Sequence, residues 1–201
     1  MFNFKTLLTR TLLALALATG AGAALAGSTY HVDIDTSALA GGSGYLDFLM
    51  TDQGDSAFTT ATLSHFSGNF SGATITSGIA AGSAAAGGVV STGGGWNELG
   101  LWATFGGQFG FDVTFDQATD SLIGSLFQVA LLDADFRYFA PTSGSIAEFN
   151  VAPGQPIGLI PSAFATISLV PDVSDVPEPS DWMMMATGLA LLGFSLRRRV
   201  R

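Results

Sequence analysis

The stretch Phe109-Gly110-Phe111-Asp112-Val113-Thr114-Phe115 alternates large apolar side chains with a glycine, a carboxylate and a hydroxyl. A period of two sends successive side chains to opposite faces of an extended chain, so this stretch reads as a β-strand with one buried face and one wet face. The same reading extends outward to 29–35, 44–50, 57–66, 98–105, 125–132 and 163–170, separated by turns bearing glycine, serine or proline. Hardly any stretch between the two ends of the chain sustains a 3.6-residue apolar period. Many short strands at fairly regular spacing predict an all-β domain, a β-sandwich or jelly-roll-like pair of antiparallel sheets.

Two regions interrupt that regularity. Residues 67–95 are dominated by Gly, Ala, Ser and Thr and carry no charge, with Phe70, Ile75, Ile79, Val89 and Val90 as the only large apolar side chains. They read as partly ordered edge strands joined by a flexible tip. Residues 140–161 contain Pro141, Pro153, Pro156 and Pro161, a pattern that suits a surface connection better than a central strand.

The chain has 201 residues and no cysteine, so neither a disulfide framework nor thiolate chemistry is available. Basic residues crowd the two ends. Between 27 and 175, fourteen acids stand against Arg137 alone, a formal charge of −13. Nucleic acid is excluded as a partner on this count, because phosphate binding needs Lys and Arg to displace counterions.

At the start, Lys5 and Arg10 form a basic region, 11–18 is apolar, and Ala24-Leu25-Ala26 places small residues at the positions a signal peptidase reads. Residues 1–26 therefore read as a signal peptide cleaved after Ala26, with an uncleaved anchor as the alternative. At the other end, Val176-Pro177-Glu178-Pro179 is an extended strip in which proline disfavours helix. Residues 182–196, from Trp182 to Leu196, carry no charge and would span about 22 Å as a helix, short of a hydrocarbon core of about 30 Å. Trp182 at one interface, and Arg197, Arg198, Arg199 and Arg201 at the other, extend that reach and place the C-terminus on the cytoplasmic side.

A Pro-Glu-Pro strip, an apolar helix and a terminal arginine cluster, in that order, resemble the PEP-CTERM sorting signal of Gram-negative bacteria. The resemblance implies recognition by an exosortase, a membrane-embedded cysteine transpeptidase, with processing near Pro177-Glu178-Pro179 and delivery to the cell surface or extracellular matrix. A plain single-pass anchor is the competing reading. The middle of the chain, through 30–39, 44–48, 111–115 and 124–133, also resembles a group of short PEP-CTERM proteins, which adds a fold expectation and no activity. The expected organisation is a signal peptide at 1–26, an acidic β-sandwich domain at 27–175 and a sorting signal with a single transmembrane helix at 176–201.

Candidate chemistry inside the domain is sparse. His31 and His65 are the only histidines, and neither sits in a nucleophile motif, so the chain is read as a non-enzyme. His31 shares a strand face with Asp33 and Asp35. Hard cations take several oxygen ligands from carboxylates and turn carbonyls, which makes Asp33 with Asp35, Asp47 with Asp52 and Asp55, and Asp133 with Asp135 the candidate calcium ligands. None matches an EF-hand loop or a glycine-rich nonapeptide repeat, and a solvated acidic face is the favoured reading of the same residues. Asp135 is expected to share a strand face, and pair, with Arg137. No other cofactor is expected.

The functional expectation is an exported structural or adhesive component of exopolysaccharide or biofilm, with an exosortase, a signal peptidase and the membrane as partners in sorting. A carbohydrate-binding or calcium-dependent lectin-like module is the alternative, marked by exposure of Trp96, Trp102 or Tyr138 on a concave face beside acids. A polysaccharide hydrolase is the third reading, marked by converging carboxylates with perturbed pKa values.

Overall fold

The computed structural model describes residues 27–171, apart from 53, 119, 140 and 141. The expected signal peptide, sorting motif and membrane helix lie outside the described residues. Among those described there is no α-helix, only a single 3-10 turn at Ser37–Leu39, and no helix long and apolar enough to cross a membrane.

Twelve strands build two antiparallel sheets. In chain order they are β1 (Thr29–Asp35), β2 (Ser43–Asp52), β3 (Thr59–Ser67), β4 (Phe70–Ser77), β5 (Ala80–Ser83), β6 (Gly87–Ser91), β7 (Trp96–Thr104), β8 (Gln108–Gln117), β9 (Ser125–Leu132), β10 (Ala147–Val151), β11 (Gly158–Pro161) and β12 (Ala165–Leu169). The first sheet runs β12-β1-β8-β3-β6-β5 and the second β11-β10-β9-β2-β7-β4. Eight of the eleven connections cross from one sheet to the other, and only β5–β6, β9–β10 and β10–β11 join neighbours within a sheet.

Alternation decides what faces inward. In β8, Phe109, Phe111, Val113 and Phe115 are buried, as are Val32 and Ile34 of β1 and Leu46, Phe48 and Met50 of β2. Aromatic pairs then join the two sheets edge-on: Phe111 meets Phe48 at 5.0 Å between centroids, Phe115 meets Phe127 at 5.5 Å, and Tyr30 meets Phe149 at 5.8 Å. Such pairs add about 0.5–1.5 kcal/mol each beyond the area they bury, in a domain without disulfides.

One irregularity positions polar groups. The β3–β8 ladder slips between Ser64 and Ser67, where three steps on β3 oppose two on β8, and His65 takes a left-handed φ of 51°. The bulge shifts the alternation so that His65 turns outward while Phe66 reaches Phe48 and Phe111 in the core.

The small-residue region 67–95 is ordered into three strands, with β4 on the edge of one sheet and β5 on the edge of the other. Close approach requires one of its glycines: a Cβ on Gly88 would stand 2.5 Å from Leu99 Cδ2. The chain turns between sheets at Gly78, where buried Asn97 accepts from Ile79 N at 2.8 Å.

The expectation of a surface connection over 140–161 is corrected. It contains β10, an inner strand held by β9 and β11. Ala147, Phe149 and Val151 are buried and alternate with Glu148 and Asn150. Pro153 and Pro156 fall in the loop after β10, and Pro161 ends an edge strand, where its missing donor costs no ladder bond.

Candidate functional site

The outer face of the second sheet carries the domain's densest group of exposed aromatic side chains beside acids. Register explains the gathering. On β2, Tyr45, Asp47 and Leu49 point outward opposite Trp102, Gly100 and Glu98 of β7 on one side and Leu132, Ala130 and Gln128 of β9 on the other. Asp47 thus lies between two small neighbours, Gly100 and Ala130, with Glu98 diagonally across.

The turn after β9 folds over this face. Asp133 Oδ1 accepts from the backbone N–H groups of Asp135 at 2.8 Å and Arg137 at 2.9 Å, and Phe136 adopts φ 59°. That conformation lays the Phe136 ring on Tyr45, with centroids 5.4 Å apart and planes within 7°, while Tyr45 meets Trp102 edge-on at 4.9 Å. A cavity of about 290 Å³ remains, walled by Phe136, Tyr138 and Ser145 on one side and Trp96 on the other, over a floor of Asp47, Glu98 and Gln128. Trp96 and Tyr138 are half exposed, and Trp102 is partly buried.

The floor is electrostatically unusual. Asp47 is only 3% exposed, and its Oδ1 has no hydrogen-bond partner among the described residues. Burial, then the negative charge of Glu98 and a hydrogen bond with it, push the Asp47 pKa up to about 8. At neutral pH the carboxyl is therefore largely protonated and donates to Glu98. Glu98 is oriented by Trp96, whose Nε1 donates to Oε2 at 2.9 Å. Gln128 Nε2 is already committed to Ser145 Oγ at 2.8 Å and Glu148 Oε1 at 3.1 Å. The floor offers acceptors and no free donor apart from the shared proton.

The outer face of the first sheet holds a second polar group. Asp112 receives both histidines: His31 Nδ1 lies 2.5 Å from Oδ1 and His65 Nδ1 lies 2.9 Å from Oδ2, while His31 Nε2 reaches Asp33 Oδ1 at 3.3 Å. The hydrogen bond to Asp112 outweighs desolvation and raises the His31 pKa above its usual value. Each histidine Nδ1 is engaged by the same carboxylate, so the cluster is internally satisfied.

Of the acids singled out in sequence, Asp33 and Asp35 share β1, Asp133 and Asp135 share the turn after β9, and Asp47 is separated from Asp52 and Asp55. No group of three or more His, Asp or Glu among the described residues is disposed to hold a metal ion. Asp47 lines the aromatic cavity, whereas Asp52 and Asp55 sit by a shallow depression at the other end of β2, near Gly93 and Gly94. Asp52 accepts from Gly54 N at 3.4 Å and Gly93 N at 3.2 Å, Asp35 from Ser37 N at 2.9 Å, and Asp133 caps its turn. These carboxylates mainly serve backbone amides, and the Ser37 amide lowers the Asp35 pKa. Asp135 and Arg137 lie in the turn after β9 instead of on one strand face, and they form no ion pair among the described residues. Glu98, Gln128, Phe136 and Asp112 went unrecognised as site residues in the sequence. Glu98 had a local signal in its alternation with Trp96 and Trp102.

No family model matches the sequence, and no curated protein or solved structure matches it either.

Proposed function

We propose that the protein is an exported surface or matrix component that binds glycan on the outer face of its second sheet. The observation that carries this reading is the aromatic-walled cavity over Asp47 and Glu98. A pyranose ring presents apolar C–H faces, which stack on Trp96, Tyr138 and Phe136, and hydroxyl donors, which the carboxyl oxygens accept. The volume suits one or two sugar rings. Hydrolysis is disfavoured because the buried Asp47 shares its proton with Glu98, whereas glycoside cleavage uses two carboxyls that act separately on either side of the bond.

Export by signal peptidase at Ala26 and sorting by an exosortase at Pro177-Glu178-Pro179 would bring this face to exopolysaccharide, giving the protein its adhesive role. Affinity electrophoresis of the purified protein through gels containing the host's own exopolysaccharide tests the binding. The wild type should be retarded, and the W96A/Y138A variant should run as it does without polysaccharide; equal migration of both overturns the reading. Sorting is tested separately by replacing Pro177, Glu178 and Pro179 with alanine. That variant should accumulate in the membrane with residues 182–201 intact by mass, and normal release would remove the exosortase from the account.

A further inference from the structure

We infer that the cavity selects an amino sugar, its ammonium group seated between Asp47 and Glu98 and its ring held by Trp96 and Tyr138. The inference rests on the glycan-binding reading and narrows its ligand from sugars in general to those carrying a free amine.

Four observations point to a cation. The Asp47 Oδ1 is an acceptor withdrawn from water with nothing bound to it, and the complement of such an atom is a donor. A second carboxylate, Glu98, converges on the same floor, so the complementary donor carries positive charge. Among the described residues the protein supplies none: Arg137 is the only Lys or Arg between 27 and 175, and it does not line the cavity. Finally, the walls are aromatic, and ring faces attract ammonium groups, most strongly where water is excluded.

Other ligands fit less well. A hard metal ion needs about six to eight oxygens, and this floor offers two carboxyls beneath hydrophobic walls. A uronic acid would bring negative charge to two acids in a domain already at −13. A neutral hexose could donate to Oδ1 but would leave the second acid uncompensated. A polyamine would satisfy the charge but has no ring face to stack on the aromatic walls.

Seating an ammonium ion beside Asp47 favours the ionised carboxyl, so binding releases the proton held in the empty cavity. The association constant should therefore rise by up to about tenfold per pH unit below the Asp47 pKa, as long as the ligand amine stays protonated.

The test is isothermal titration calorimetry on the purified protein with fully deacetylated chitotetraose, N-acetylated chitotetraose, cellotetraose and spermine, at pH 5.5 and 6.5 in buffers of different ionisation enthalpy. The expected result is deacetylated chitotetraose binding at least tenfold more tightly than the other three, with proton release that Asp47→Asn abolishes and an affinity that Trp96→Ala lowers. Glu98→Gln is a second variant that removes the charge while preserving shape. Equal binding of the acetylated or neutral oligosaccharide overturns the amine selectivity and leaves glycan binding standing. Absence of binding by every oligosaccharide overturns the inference, and together with unretarded migration in the exopolysaccharide gel it overturns the glycan-binding reading as well. Spermine binding as tightly as the amino sugar, with no effect of Trp96→Ala, reduces the site to unspecific charge attraction and overturns the inference.

Discussion

Replacing Asp47 with Asn should flatten the dependence of stability on pH. Asp47 has a pKa of about 8 in the folded protein against 3.8 for the free side chain, so the fold binds this proton more tightly than the unfolded chain does. A raised folded pKa contributes stability that is complete below 3.8 and is lost as pH rises to about 8. Between those values each pH unit removes about 1.4 kcal/mol, so the span from pH 5 to pH 8 removes about 4 kcal/mol. That figure is a ceiling, since water entering the cavity beside an ionised Asp47 relieves part of the burial. Against a total stability of about 5–15 kcal/mol for a typical domain, it is still a large share. Asn is nearly isosteric, stays neutral at every pH and can donate its amide to Glu98. Urea titrations of both proteins at pH 5, 6, 7 and 8 should show the wild type falling and D47N nearly level, with D47N the more stable at pH 8. Parallel curves for the two proteins would refute the protonated state of Asp47, and with it the proton release expected on ligand binding.

Three further outcomes are expected. Asp112→Asn removes the main cause of the raised His31 pKa, so the His31 ring, followed by NMR, should titrate at lower pH than in the wild type; an unchanged titration would mean that the Asp112 contact is not formed in solution. Phe111→Ala opens a cavity where the ring meets Phe48 and Phe66, and chemical denaturation should report a loss of about 3–5 kcal/mol. Gly88→Ala forces a Cβ to within 2.5 Å of Leu99 Cδ2 and should cost about 1–3 kcal/mol, whereas Gly107→Ala, with nothing near its Cβ, serves as the tolerant control.

Much of the strand content was legible because it rests on local alternation. Phe109 to Phe115, Thr29 to Asp35 and Ser125 to Leu132 each carry their burial pattern within a few residues. β10 was hidden because its five residues, with Ala147, Phe149 and Val151 inward, sit among prolines that belong to the loop beyond it and to an edge strand. The site was harder to read for a different reason. Trp96, Glu98 and Trp102 could be placed on one face from the sequence alone, but their meeting with Asp47 depends on β2 pairing with β7, a register fixed across the intervening β3, β4, β5 and β6. The calcium groupings paired acids by closeness in sequence, and in the structure three of those seven acids, Asp35, Asp52 and Asp133, accept from backbone amides.

The two outer faces show why ligand binding is assigned to one and not the other. On the first sheet, the one carboxylate at the centre, Asp112, is matched by His31 and His65, and the bulge that turns His65 outward completes the match. A polar group so satisfied gains little from a ligand, because any new bond must displace an existing one. On the second sheet, the floor acid keeps an unpartnered oxygen, its neighbour is another acid, and the aromatic walls stand open above them. Holding such a floor together costs the folded protein stability at neutral pH, and a positively charged donor entering the cavity offsets that cost. The energetic defect and the proposed ligand are thus complementary: the same ionisation of Asp47 that weakens the empty domain strengthens its grip on an amine.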